Sequence, residues 1–271
     1  MSETRPDLPA PQTLAVGSGD EQRTIAFRHR TATDAAAPGL VWLGGFKSDM
    51  DGSKALALDS YAEHCGLGFA RFDYSGHGLS GGSFLDGTIS RWLDEAEAVV
   101  RATSGADDRR ILVGSSMGGW LALLLNRRLR QSGGPQIAGL VLIAPAVDMT
   151  ADLMWDEMSE ASRAELRSTG RLEKPSDYSD EPYILTLGLI EDGKQHLFGS
   201  ALIETGCPVH ILQGALDTDV PPPHALKLAS QMPLDDVALS LIPDGDHRLS
   251  RPQDLQRLTR SIDTLLEGIA G

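Results

Sequence analysis

Short, almost wholly apolar segments alternate along the chain with segments of helical periodicity, and this alternation constrains the fold more than any other feature. Strands that read as continuous apolar runs are buried on both faces of a sheet. The pattern therefore predicts an α/β fold, with a mostly parallel, doubly wound sheet between two layers of helices. The strand-like segments are 39–45, 68–74, 111–113, 137–145, 207–214 and 237–245. The helix-like segments are 53–66, 88–105, 120–125, 223–232 and 254–269.

Three segments stand outside the alternation. Residues 13–30 predict an antiparallel hairpin at one edge of the sheet, and residues 1–12, with acids and three prolines, predict a disordered tail. Residues 150–206 carry no obvious sheet strand and no sign of a core of their own, which predicts a lid inserted between two core strands. The α/β core would then comprise 13–149 and 207–271. The alternative interpretation is that the insert is a surface segment without a functional role.

Composition disfavours several kinds of partner. The net charge of −14 argues against nucleic acid and against anionic membrane surfaces. No apolar run is long enough to span a bilayer, so no stable membrane insertion is expected. The N-terminus resembles neither a signal peptide nor an arginine-rich transit peptide, which predicts a cytoplasmic location. The two cysteines, Cys65 and Cys207, lack metal-ligand spacing and are predicted to be reduced, partly buried thiols.

The segment ILVGSSMGGWLALLL, residues 111–125, joins a strand-like run to a helix-like run through a turn of small residues. It contains a G-x-S-x-G pattern centred on Ser116, with Gly114 and Gly118 two positions to either side. Centring the pattern on Ser115 would break it. A serine on such a tight strand-to-helix turn is exposed at a helix N-terminus, where negative charge is favoured. The segment therefore predicts Ser116 as a catalytic nucleophile.

A nucleophilic serine needs a base and an acid that orients the base, and in this architecture they follow the serine in the order acid, then histidine. Asp217 comes directly after the strand-like segment 207–214 and is the predicted acid, with Asp219 as the fallback. His247 lies between the last strand and the last helix and is the predicted base.

Two backbone N–H groups are expected to form an oxyanion hole. One belongs to Met117, which follows the nucleophile, and the other to Phe46, in the loop after the strand-like segment 39–45. Gly45 lets that loop approach a substrate closely. His77, in the glycine- and serine-rich loop FDYSGHGLSGG, is expected at the rim of the site without an assigned role.

The motifs WLGGFKSDMDGSKALAL, ARFDYSGHGLSGG, LVGSSMGGW and DGDHRLS together resemble the α/β-hydrolase superfamily. More closely, they resemble its abhydrolase-domain-containing-ten type, which includes mitochondrial palmitoyl-protein thioesterases and acyl-glucuronide esterases, and the bacterial relatives of that type. The resemblance implies the α/β-hydrolase fold and a hydrolase of acyl esters or thioesters, with Ser116, Asp217 and His247 as its triad. Two features depart from the pattern. Many members have histidine where this chain has Gly44, and no organellar presequence is visible.

The expected function is hydrolysis of carboxylic esters or thioesters through an acyl-enzyme, with no metal or organic cofactor. The substrate is expected to be a small molecule or an acylated molecule. In the insert, Trp155 and Met158 are predicted to bind substrate as an adaptable wall for an acyl chain.

Three other functions are compatible with the fold class. A dehalogenase or epoxide hydrolase would need aspartate at position 116. A serine peptidase would use an acidic cluster to bind a free amine, and the candidates are Asp156, Glu157 and Glu160. A non-catalytic binding module usually lacks one member of the triad.

Overall fold

The computed structural model describes residues 8–34, 36–105, 108–174 and 183–270. Its strands are β1 (Gln12–Val16), β2 (Arg23–Arg30), β3 (Gly39–Leu43), β4 (Phe69–Phe72), β5 (Arg109–Ser115), β6 (Gln136–Ile143), β7 (Arg171–Lys174), β8 (Tyr183–Thr186), β9 (Val209–Gly214) and β10 (Val237–Ile242). Its α-helices are α1 (Ser53–Cys65), α2 (Ile89–Ala102), α3 (Met117–Ser132), α4 (Glu160–Thr169), α5 (Leu187–Gly193), α6 (Pro222–Ser230) and α7 (Pro252–Ala270). A π-helical segment spans Thr150–Trp155.

Eight strands form one sheet in the order β1-β2-β4-β3-β5-β6-β9-β10. Strand β2 is antiparallel to both of its neighbours, and all the other neighbouring pairs are parallel. Side chains of α1 and α7 pack in the hydrophobic cluster on one face, and those of α2, α3 and α6 pack in the cluster on the other. The predicted doubly wound sheet and its antiparallel N-terminal edge are therefore confirmed.

The N-terminal boundary differs slightly from the prediction. Strand β1 begins at Gln12, inside the predicted tail, and an Arg28 guanidinium nitrogen donates to the carbonyl oxygen of Pro9 at 2.6 Å. The part of the tail prediction that concerns residues 1–7 lies outside the described residues.

The insert has more internal structure than the sequence predicted. Strands β7 and β8 pair antiparallel in a separate two-stranded sheet, with Lys174 opposite Tyr183. Five buried side chains of the insert form a cluster of their own: Met158, Leu166, Leu172, Leu185 and Ile190. The prediction of an insert without strands or core is therefore wrong. Four-residue strands are too short to produce a clear alternation in the sequence, and their pairing satisfies their backbone groups locally. The polar stretch at 175–182 lies outside the described residues.

Asp148 ties the two ends of the insert together. Its side chain is buried, and its two carboxylate oxygens accept hydrogen bonds from the backbone N–H groups of Phe198 (2.9 Å) and Gly199 (2.7 Å). Burial raises the pKa of Asp148, and these two donors oppose that effect. The connection closes the insert into a loop that starts and ends at one place on the sheet.

The two cysteines have different environments. Cys65, the last residue of α1, is exposed, so the prediction of a partly buried thiol is wrong there. Cys207 is buried, and burial raises its pKa to about 11. Among the helices of the described residues, none combines the length and apolar character needed to cross a membrane.

Candidate active site

Ser116 occupies the turn between β5 and α3. Its backbone angles, φ 55° and ψ −119°, lie in a region that non-glycine residues rarely adopt. Its backbone N–H donates to the carbonyl oxygen of Ile143 at 2.9 Å, and its own carbonyl accepts from Ala146 at 3.0 Å. These bonds to the end of β6 and the segment after it hold the strained turn and leave the Ser116 side chain partly exposed.

The two glycines of the G-x-S-x-G pattern are required by close backbone contacts. A Cβ atom on Gly114 would lie 2.3 Å from the carbonyl oxygen of Gly118. A Cβ atom on Gly118 would lie 2.0 Å from the carbonyl oxygen of Leu43. Both distances are far below a van der Waals contact, so the strand and the helix can meet at this angle only without side chains at those positions.

His247 connects Ser116 to Asp217. Its Nε2 atom lies 3.1 Å from the Ser116 Oγ atom, and its Nδ1 atom lies 2.8 Å from Oδ2 of Asp217. The Asp217 side chain is fully buried, and its Oδ1 atom accepts from the backbone N–H groups of Asp219 and Val220 at 3.0 and 2.8 Å. Asp217 thus occupies the orienting position predicted for it, and the nearby Asp219 supports it through a backbone donor.

The predicted oxyanion-hole residues flank Ser116. Met117 is the first residue of α3, where backbone N–H groups have no acceptor within the helix. The loop after β3 passes close by, because a Cβ atom on Gly45 would lie 3.4 Å from the Ser116 Cβ atom. Within the described residues, the Phe46 N–H group makes no hydrogen bond to another protein atom. Two N–H groups are therefore available beside the serine.

A cavity of about 680 Å³ opens beside Ser116 and His247. Its apolar wall comes from Phe46 and from the insert and its entry, through the side chains of Met149, Leu153, Met154, Tyr183 and Leu185. The insert therefore lies beside the serine, as a lid would. Sequence reasoning missed Met149 and Leu153 as lining residues, although their apolar character beside the predicted lid was a usable signal.

The structure does not bring Trp155 and Met158 to the wall of this cavity, so their prediction as substrate-binding residues is corrected. Met158 is buried in the hydrophobic cluster of the insert. The Trp155 ring is covered by two guanidinium groups, with the Cζ atoms of Arg163 and Arg167 at 5.3 and 4.9 Å from its centroid. The π-helical winding of Thr150–Trp155 places Leu153 and Met154 at the cavity instead.

Charged residues of both signs line the same cavity. The basic ones are Lys47, Lys54, Lys174 and Arg248, and the acidic ones are Asp49, Glu157 and Asp219. Lys54 donates to the Arg248 carbonyl oxygen and to Ser250 Oγ, in the segment that carries His247. Burial lowers the pKa of Lys54 to about 8, against the opposing effect of Asp246 and Asp254.

One group of side chains has a spacing compatible with a metal ion. Asp217, Asp219 and His247 each offer a ligand atom, and these atoms lie within 4.8 Å of one another. Two of the three residues are already joined by the hydrogen bond between His247 Nδ1 and Asp217 Oδ2. Binding a metal there would require that bond to break, so the donor set fits a hydrogen-bonded pair better than a cation.

The fold and the site together define a class of protein. Parallel strands converge at their carboxyl ends, and the segments after β5, β9 and β10 place a serine, an aspartate and a histidine within hydrogen-bond distance there. This arrangement on a mostly parallel eight-stranded sheet is that of the α/β hydrolases.

Comparisons with known proteins narrow that class. A family model described as "Serine aminopeptidase, S33" matches residues 49–180. The mitochondrial palmitoyl-protein thioesterase ABHD10 of Bos taurus is 31% identical over 236 residues, which cover 86% of this chain and 74% of the bovine protein. The human ABHD10 is 30% identical over 235 residues. The chain belongs to the ABHD10 family of α/β hydrolases and is a hydrolase.

Solved structures agree with this assignment. A crystal structure of an Agrobacterium vitis S4 protein is 50% identical and superposes with a TM-score of 0.92, covering 95% of this chain and 98% of that one. The structure of mouse ABHD10 is 27% identical, with a TM-score of 0.84 and coverage of 96% and 99%. The names of the ABHD10 relatives place them in mitochondria, so the cytoplasmic location of this chain stays a prediction.

Proposed function

We propose that this hydrolase cleaves carboxylic esters or thioesters through an acyl-enzyme formed on Ser116. The observation that carries the proposal is the continuous hydrogen-bonded series from Ser116 Oγ through His247 to the buried Asp217, at the side of a cavity with an apolar wall. A serine activated in this way is a nucleophile toward acyl carbon. The thioesterase name of the ABHD10 relatives supports the same substrate class.

The proposed reaction has two halves. Ser116 Oγ attacks the carbonyl carbon while His247 Nε2 accepts its proton, and the carbonyl oxygen becomes an oxyanion facing the N–H groups of Phe46 and Met117. The tetrahedral intermediate expels the alcohol or thiol, which takes the proton from His247. Water then attacks the acyl-enzyme, His247 takes a proton from it, and the acid leaves as Ser116 recovers its proton. Asp217 holds the His247 tautomer and stabilises the imidazolium in each half.

A fluorophosphonate probe, which reacts with activated serines, tests the proposal. The wild type should be labelled, Ser115→Ala should also be labelled, and Ser116→Ala should not. Turnover of p-nitrophenyl esters and acyl thioesters should fall by roughly three orders of magnitude or more in Ser116→Ala. Full turnover in that variant would contradict the proposal.

A second candidate, an aminopeptidase, is favoured by the description of the matching family model. An aminopeptidase would gather carboxylates to bind a substrate amine. Of the three acids that the sequence suggested, Glu157 lines the cavity, whereas Asp156 and Glu160 lie 3.9 and 3.7 Å from the Arg163 guanidinium. The mixed charges of the cavity favour the ester or thioester substrate. Hydrolysis of aminoacyl p-nitroanilides at rates matching those of esters would reverse this preference.

A further inference from the structure

His77 is buried in a cage of aromatic rings beside the loop 44–52 between β3 and α1, which contains Phe46 and is called the oxyanion loop below. It follows β4 and is 5% exposed. Its ring centroid lies 5.7 Å from that of Tyr74, 5.2 Å from that of Phe84 and 5.4 Å from that of Trp92. Packing of this kind fixes the orientation of the imidazole and excludes water from most of its surface.

The hydrogen bonds of His77 define its tautomer. The backbone N–H of Lys47 donates to Nε2 at 3.1 Å, so Nε2 carries a lone pair. The proton of the neutral ring is then on Nδ1, which lies 3.1 Å from the carbonyl oxygen of Ser75 and donates to it. Burial also lowers the pKa of His77, which favours this neutral form.

The residue of the oxyanion loop that donates to His77 Nε2 has a strained backbone conformation. Lys47 has φ 58°, in the left-handed region that a side chain disfavours, and it follows Phe46 directly. Such a conformation is maintained only when surrounding contacts determine it. The bond to His77 Nε2 fixes the Phe46–Lys47 peptide plane, and this plane limits the directions available to the neighbouring Phe46 N–H.

His77 is itself held from the far side by α2. The carbonyl oxygen of Ser75 also accepts from Trp92 Nε1 at 3.3 Å, and the Ser75 N–H donates to the buried Glu95 at 2.8 Å. The same loop reaches the oxyanion loop a second time through Asp73, which accepts from the Met50 N–H at 2.6 Å. The imidazole is thus held in place from both sides, and it connects α2 to the loop beside Ser116.

We propose that His77 is a positioning residue: its Nε2 atom holds the Lys47 N–H so that the adjacent Phe46 N–H faces the oxyanion of the tetrahedral intermediate. This inference rests on the proposed function, since it concerns the transition state of that reaction. It predicts a specific requirement, an acceptor at the Nε2 position, which packing alone would not impose.

Two amide variants separate the acceptor from the packing. His77→Gln can place its amide oxygen near the former Nε2 position, whereas the shorter His77→Asn reaches only the Nδ1 position and leaves the Lys47 N–H without its partner. We expect kcat on a p-nitrophenyl ester to fall about 10- to 100-fold in His77→Asn, below the loss for removing an oxyanion donor outright. KM should change less than about threefold, and His77→Gln should keep most of kcat. Tyr74→Phe, in the same cage, is the control and should keep wild-type kinetics.

Binding of an alkyl trifluoromethyl ketone provides the second readout. Ser116 Oγ adds to the ketone carbon as the carbonyl π bond breaks, the serine proton passes to His247, and the resulting oxyanion occupies the same N–H groups. Affinity for this ketone should fall in His77→Asn by the same factor as kcat, while affinity for the corresponding secondary alcohol stays within about threefold.

Equal kcat and equal ketone affinity in the Asn and Gln variants would overturn the positioning role, whether both are active or both are impaired. Failure of the proposed function has a different signature, because the wild type would then resist fluorophosphonate and Ser116→Ala would keep its turnover. A wild type labelled at Ser116, together with a fully active His77→Asn variant, would reject the inference about His77 alone.

Discussion

At the scale of single residues, the site depends on positions where backbone atoms approach closely or take unfavourable angles. Lys47 and Ser116 have φ values of 58° and 55°, and both line the cavity. Gly114 and Gly118 make room for the turn between β5 and α3. The pattern of glycines was readable from the sequence because the contacts it permits involve backbone, which every chain of this fold shares. The strain at Lys47 was not readable, because lysine carries no signature of a left-handed conformation.

Gly118→Ala tests whether the close contact is essential. The added Cβ atom would lie 2.0 Å from the Leu43 carbonyl oxygen, so we expect a loss of several kcal/mol in the free energy of unfolding, or no soluble protein. Gly268→Ala, in α7, is the matched control, because nothing lies within 4 Å of its added Cβ atom. Alanine there should leave stability unchanged or raise it by up to about 1 kcal/mol. Urea unfolding of both variants provides the comparison, and equal stabilities would contradict the account.

Lys54 should make stability depend on pH. Its pKa is lowered by burial to about 8 from 10.5, so between these values the unfolded chain binds more protons than the folded one. Stability of the wild type should therefore rise with pH across this interval relative to Lys54→Met, by at most about 3 kcal/mol. Below pH 8 the wild type bears the full cost of burying the charge.

Urea unfolding of the wild type and Lys54→Met at pH 7, 8, 9 and 10 measures this difference directly. The stability of the wild type minus that of Lys54→Met should rise as the pH rises from 8 to 10. Parallel curves would show that Lys54 has an ordinary pKa. Because Lys54 also donates to the Arg248 carbonyl, the variant carries a constant offset that does not affect this slope.

At the scale of elements, the sheet and helices followed from the sequence, whereas the insert did not. Apolar runs such as 137–145 identify a buried strand wherever it lies, and Gly66, in the left-handed conformation, ends α1 as a C-cap. Strands β7 (RLEK) and β8 (YILT) are four residues each and pair only with one another, so neither gives the long apolar run that identifies the strands of the main sheet. Which residues of the π-helical segment face the cavity depends on how that segment winds. The prediction assumed regular helical spacing instead, and it therefore assigned the wrong residues to the cavity wall.

Met154 and Met158 form a matched pair that tests which residues of the insert form the apolar wall of the cavity. Met154 lines the cavity and Met158 is buried in the cluster of the insert. For the wild type we expect kcat/KM to rise with acyl chain length over the first few carbons, since each buried CH₂ contributes up to about 0.8 kcal/mol. Met154→Ala should flatten this rise.

Met158→Ala should keep the slope of that rise and lower the free energy of unfolding by about 2–5 kcal/mol, as for other buried methionines. A series of p-nitrophenyl esters from acetate to decanoate, with thermal unfolding of the same variants, measures both effects. If the slope of kcat/KM against acyl chain length depends on Met158 and not on Met154, the sequence-based prediction that Met158 binds the acyl chain is correct and the cavity wall described here is wrong.

At the scale of the whole molecule, topology brings together residues that are far apart in the chain. Ser116, Asp217 and His247 follow β5, β9 and β10, and the parallel order of these strands places their carboxyl ends at one edge of the sheet. The insert leaves the sheet after β6, between β5 and β9, so it also reaches that edge. The G-x-S-x-G pattern and the chain order of acid and then histidine after strand-like segments were enough to predict Ser116, Asp217 and His247 from the sequence. The choice of lining residues was not predictable in this way, because it depends on how the insert packs.

Mass spectrometry of the protein quenched during turnover tests the central claim most directly. With a p-nitrophenyl ester whose acyl-enzyme hydrolyses slowly, the intact mass should rise by one acyl group, and peptide fragmentation should place that group on Ser116. Ser115→Ala should give the same adduct, and Ser116→Ala should give none. An adduct on Ser115 would contradict the assignment of Ser116 as the nucleophile, and hydrolysis of this ester that depends on Ser116 without any acylated protein would contradict the acyl-enzyme mechanism.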